Sequence, residues 1–83
     1  MSIKLIGVDN KNGIRLLKSL EKIEKELKVK FDICKVASSN RDKYGIRQVP
    51  ALIINDEVVL KGNILPDNEL KNLIRKKLLI CNN

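Results

Sequence analysis

Two periodicities alternate along this chain, and the places where one gives way to the other mark its elements. Ile3-Lys4-Leu5-Ile6-Gly7-Val8 is short, rich in branched apolar residues and stopped by Asp9-Asn10, which predicts a buried strand. Beyond the polar run Asp9 to Gly13, Leu16, Leu20, Ile23 and Leu27 recur at spacings of four, three and four, with Leu17 broadening the stripe. That rhythm predicts an amphipathic helix over 14–28. Glu21 with Lys25, and Glu24 with Lys28, stand four apart on it as favourable pairs. Phe31 and Ile33 alternate with Asp32 and Cys34 in a second strand ending at Val36.

Ser38-Ser39-Asn40 supplies capping residues for a short helix that ends near Tyr44-Gly45. Val49 to Ile54 and Glu57 to Lys61 form the arms of a hairpin around Asn55-Asp56, residues that tolerate the positive backbone angles of a two-residue turn. Pro66-Asp67 opens a final helix with Leu70, Leu73, Ile74 and Leu78 on one face and Arg75, Lys76 and Lys77 toward its negative end. A strand–helix–strand unit implies a right-handed parallel crossover, and the hairpin adds an antiparallel pair. The expected fold is α/β: one domain over 1–83, a mixed four-stranded sheet flanked by three helices.

Composition narrows the chemistry. The chain has 83 residues and 43% hydrophobic positions, enough for one small core. Its 17 Lys plus Arg against 10 Asp plus Glu give +7, a charge that favours anionic partners. Histidine is absent, which removes the usual neutral-pH general base and the commonest metal ligand. Two cysteines, Cys34 and Cys81, are too few for a four-ligand zinc site or a disulfide framework. Phe31 and Tyr44 are the only aromatics, so base-stacking platforms for nucleic acid are not expected. No run reaches the roughly 20 apolar residues of a membrane span. The N-terminal stretch does not read as a signal peptide, and the expected location is the cytoplasm.

The segment Tyr44-Gly45-Ile46-Arg47-Gln48-Val49-Pro50-Ala51-Leu52-Ile53-Ile54-Asn55 resembles the proline loop and third strand of small thioredoxin-like and glutaredoxin-like proteins. Gly62, the Pro66-Asp67 helix opening, and the run from Ile3 to Gly7 into a loop and long helix are similar to that family too. The likeness is greatest to its short branch of redox-active disulfide proteins and spans nearly the whole chain. The resemblance implies a thioredoxin-like fold, protein-disulfide oxidoreductase activity and a cis Val49–Pro50 bond. That branch carries Cys-x-x-Cys before the first helix, where this chain reads Asn10-Lys11-Asn12-Gly13. The two cysteine positions fall on Asn10 and Gly13, neither of which forms a thiolate, so the dithiol–disulfide cycle has no nucleophile there.

Two binding features remain. A helix N-terminus presents unpaired amide donors, and Lys11 and Arg15 add charge beside it. Asn10 or Asn12 can cap those donors, or the site can receive a carboxylate, phosphate or glutathione-like anion. In the family the residue before the proline offers its backbone to an extended substrate segment, which gives Val49 and Pro50 a ligand-binding role by resemblance. The expected function is a non-catalytic binding module for a protein or peptide, monomeric or weakly dimeric, with no cofactor and no metal. One alternative is a thiol oxidoreductase using Cys34 or Cys81. Cys34, within a strand pattern, is expected to be a buried small hydrophobe, and Cys81 to lie more exposed near the tail. The other alternative is an anion or nucleic-acid binder on the stripe Arg15, Lys18, Lys22 and Lys25, which also reads as an ordinary solvated helix face.

Overall fold

The computed structural model describes residues 1–81, with side chains described as far as Leu79, so the expectation for the Cys81 thiol lies outside the described residues. Strands β1 (Ser2–Ile6), β2 (Asp32–Val36), β3 (Ala51–Ile54) and β4 (Glu57–Lys61) form a sheet of order β2-β1-β3-β4. β1 runs parallel to β2 and antiparallel to β3, and β3 is antiparallel to β4. The connection between the parallel pair is helix α1 (Lys11–Leu27), as the crossover rule requires. A 3-10 helix (Ser38–Tyr44) follows β2, and helix α2 (Asp67–Cys81) closes the chain. The mixed four-stranded sheet and the element order are those the periodicities predict.

Successive residues of a strand point to opposite faces, and this divides the core in two. Ile3 and Leu5 of β1, with Leu52 and Ile54 of β3, meet Leu16, Leu20 and Ile23 of α1 and Leu70 and Ile74 of α2, all fully buried. Each such side chain contributes about 1.5–3 kcal/mol by leaving water. On the other face Ile6, Val36, Ala51 and Ile53 gather around Ile46, which follows the 3-10 helix. Polar contacts tie α1 to its neighbours. The Ser19 hydroxyl donates to Asp67 at 2.7 Å, Lys22 pairs with the same carboxylate at 3.3 Å, and Lys71 pairs with Glu26 at 3.5 Å.

Several local expectations change. α1 begins at Lys11 rather than Ile14, because Asn10 caps it and the polar residues Lys11 to Gly13 form its first turn. β3 begins at Ala51 rather than Val49, because Val49 and Pro50 belong to the bend before it. The short helix is 3-10, and its own residues supply no side-chain cap. Glu24 makes no pair with Lys28. Its carboxylate instead accepts the Phe31 amide at 2.6 Å, fastening the end of α1 to the start of β2. Cys34 is exposed, not buried. In the parallel register it lies beside Lys4, on the face away from α1 and α2 and outside the cluster around Ile46.

The hairpin turn is as expected: Asn55 and Asp56 have φ of 48° and 69°, and the Asn55 side chain accepts the Ser2 amide at 3.1 Å. α1 ends in a Schellman arrangement, with Val29 N–H donating to Glu24 O at 3.1 Å and Lys28 N–H to Lys25 O at 3.3 Å. The left-handed position, φ 55°, is held by Lys28, a residue with a Cβ. Lys28→Gly therefore removes a steric cost, and urea unfolding should show a gain of about 0.5–1 kcal/mol with an unchanged m value.

Candidate functional site

Three segments converge at the C-terminal end of β1: the start of α1, the bend before β3, and the 3-10 helix. The first two meet at Gly7. Its φ is 95°, and a Cβ there would fall 2.8 Å from the Val49 Cβ and 3.4 Å from the Pro50 Cα. Its carbonyl oxygen accepts the Asn10 amide at 2.9 Å, and its own amide donates to Val36 O at 2.7 Å. Gly13 in the first turn of α1 lies directly over that carbonyl, since a Cβ on Gly13 would fall 1.9 Å from the oxygen. Backbone thus rests on backbone between α1 and the end of β1, and the Val49 side chain with the Pro50 backbone packs on Gly7 from the proline bend.

The structure places the sequence-predicted residues as follows. Asn10 is the N-cap of α1, with its side-chain oxygen accepting the Asn12 amide at 2.8 Å. One of the donors expected to attract an external anion is therefore already satisfied. Lys11 and Asn12 are exposed, while Gly13 is buried against Gly7. The Val49–Pro50 bond is cis, Pro50 is buried and Val49 is half-buried. Pro50 O accepts the Gly62 amide at 2.8 Å, which fastens the end of β4 to the bend. Among the described residues, the backbone N–H and C=O groups of Gln48 and Val49 make no hydrogen bond. Asn10 to Gly13 and Val49–Pro50 are brought together through Gly7. Cys34 belongs to neither segment.

Asp9 is a residue that sequence reasoning missed. Its carboxylate accepts both the Ser38 amide at 2.7 Å and the Ser38 hydroxyl at 2.8 Å, so it caps the 3-10 helix from across the fold. No local pattern signals a partnership spanning 29 positions. The Ser38 amide, and then the Ser38 hydroxyl, hold the Asp9 carboxyl below its ordinary value, because both donate to the charged form. On the outer side of the bend, Gly45, Arg47, Gln48 and Lys61 line an open cavity of about 380 Å³. Gly62, with φ 73°, lets the Gln48 side chain approach closely, as a Cβ would fall 2.9 Å from it. Among the described residues no three His, Cys, Asp or Glu side chains are grouped to hold a metal, and no helix is long and apolar enough to cross a membrane.

A β-α-β unit, a cis-proline bend facing the first helix start, and an antiparallel hairpin followed by a helix define the thioredoxin-like class. The family profile described as thioredoxin domain matches residues 1–75, and the chain belongs to that family. The fold is similar to that of thioredoxin 1 from the thermophilic eubacterium Thermosipho africanus TCF52B, with a TM-score of 0.64 over 100% of both chains and 19% identity. No curated protein matches the chain in sequence.

Two measurements test this geometry. Gly13→Ala improves helix propensity yet forces a methyl group onto the Gly7 carbonyl, so the variant should lose about 1–3 kcal/mol in urea unfolding. A helix position with free space would show the opposite sign. The second concerns acid. Asp9 is held down by Ser38, and Asp67 by the Ser19 hydroxyl and then Lys22. A depressed folded-state pKa contributes stability above the unfolded value, near 3.8, that is lost as pH falls through the folded value. Stability should therefore decline below about pH 4, and Asp9→Asn and Asp67→Asn should each flatten that decline.

Proposed function

We propose that this protein is a thioredoxin-like binding module that works without a dithiol–disulfide cycle and holds an extended polypeptide segment along Gln48 and Val49. The observation that carries the reading is the pair of residues beside the cis-proline bond whose backbone groups have no partner among the described residues. Backbone N–H and C=O groups are obligatory hydrogen-bonding groups, and a row of them at the start of a strand is a template for another strand. An incoming segment that pairs there gains main-chain hydrogen bonds independent of its sequence.

The absence of redox chemistry rests on the first turn of α1. Asn10 occupies one family cysteine position with an amide that caps the helix, and neither Asn nor Gly supplies a thiolate. Gly13 occupies the other, where backbone contact with Gly7 leaves no room for any side chain. Cys34 stands exposed on β2 beside Lys4, away from the bend and the helix start. An oxidoreductase route through Cys34 or Cys81 is the competing reading. The basic stripe on α1 offers less to a nucleic acid, because Lys22 is engaged by Asp67. A glutathione-like anion at Asn10 to Gly13 competes with the Asn10 cap for the first-turn donors.

Insulin reduction in the presence of a dithiol should proceed no faster with the protein than with buffer, and faster turnover refutes the redox-inactive reading. Cys34→Ser and Cys81→Ser assign any such turnover to a thiol. Titrating the labelled protein with a short extended peptide should shift the amide resonances of Gln48 and Val49 ahead of those on α1. Shifts confined to Lys11 and Asn12 on adding glutathione would favour the anion site instead.

A further inference from the structure

The cavity on the outer side of the bend has a charge that the main-chain pairing does not use. Arg47 and Lys61 are both exposed, and among the described residues neither has a carboxylate within ion-pair distance. They share the cavity of about 380 Å³ with Gly45 and Gln48, so the cations stand beside Gln48, the first of the two residues whose backbone has no hydrogen-bond partner among the described residues. Their positions are fixed. Lys61 ends β4 opposite Ala51, and the Gly62 amide is bound to Pro50 O at 2.8 Å, which keeps the end of β4 against the bend. Arg47 directly follows Ile46, which is buried among Ile6, Val36 and Ile53.

A strand laid along Gln48 and Val49 presents alternate side chains to one face. The volume admits side chains rather than a single small ion, and a fork-shaped guanidinium with a lysine ammonium suits carboxylates. From these observations we propose that the partner segment is acidic: it carries Asp or Glu within two residues of the position paired with Val49, and Arg47 and Lys61 select it. This rests on the strand-pairing reading above and adds the chemical class of the partner. The net charge of +7 favours the same sign of partner.

The test uses the full labelled chain and two short extended peptides of matched sequence, one with Asp residues and one with Asn in their place, with inorganic phosphate as a third ligand. Titrations are run at low and high salt on the wild type and on Arg47→Gln/Lys61→Gln, exposed substitutions whose folding is checked by thermal unfolding. The expected result is that both peptides shift the Gln48 and Val49 amides. The Asp peptide binds about tenfold more tightly at low salt, the combined effect of two partly exposed pairs. That preference disappears in the double variant and at high salt. Equal affinity for the two peptides, with Gln48 and Val49 still shifting, overturns the acidic selection and leaves strand pairing standing. Shifts at Arg47 and Lys61 without any at Gln48 and Val49 overturn strand pairing and this inference with it. Phosphate that matches the Asp peptide in affinity and displaces it makes the cavity a small-ion site and overturns the inference.

Discussion

The packing of Gly13 on the carbonyl of Gly7 is the constraint on which the rest of the site depends. A helix start and a strand end approach so closely only where neither has a side chain between them. The same Gly7, with its positive φ, lets the proline bend close against it from the other side. The helix start and the proline bend are therefore both held against Gly7, by its carbonyl on one side and the Val49 side chain and Pro50 backbone on the other, and the bend acquires a fixed orientation toward the helix start. Apolar burial on both faces of the sheet supplies the stability, but it does not specify this junction. Leu5 and Leu52 would pack equally well with the loop a fraction of an ångström away.

The junction also gives physical meaning to the residues Asn10 to Gly13 at the start of α1. In redox-active relatives the helix start stabilises a thiolate. Here one of its donors, the Asn12 amide, is met by the Asn10 side chain, and Gly13 is closed down onto β1. At the proline bend the groups without a hydrogen-bond partner among the described residues are backbone groups of Gln48 and Val49, which do not depend on the side chains at the helix start. In the function proposed, electron chemistry and the binding of an extended chain reside in different atoms, so the second does not require the first.

Much of this was legible in the sequence. The spacing of Leu16, Leu20 and Ile23 against Leu70 and Ile74 marks the helix faces that are buried, and Asn55-Asp56 marks the turn that closes the hairpin. The Asn10 to Gly13 segment and the proline bend were found by resemblance, and they do meet. What escaped was long-range and chemically plain. Asp9 read as the stop of a strand, since its partner Ser38 lies in another element. Cys34 read as core because it stands in a strand, yet the alternation with Phe31 and Ile33 already assigns it to the opposite face. Arg47 and Lys61 are unremarkable in a basic chain until the sheet brings the end of β4 beside the bend.

The ion pairs have a distribution of their own. Lys22 and Lys71 are neutralised between the two helices, and Lys4 and Lys77 at the hairpin, whose turn lies at the opposite end of β3 from Pro50. Asp9 and Glu24 are committed to backbone amides. Lys11, Arg15, Arg47 and Lys61, around the proline bend and helix start, have no ion pair among the described residues, and neither do Lys18, Lys28 and Lys35 elsewhere on the surface. With more cations than carboxylates, the molecule carries a positive field, and its potential draws an oppositely charged body toward it before any contact forms. Encounter rates with such a body rise as ionic strength falls, even where the bound complex is short-lived.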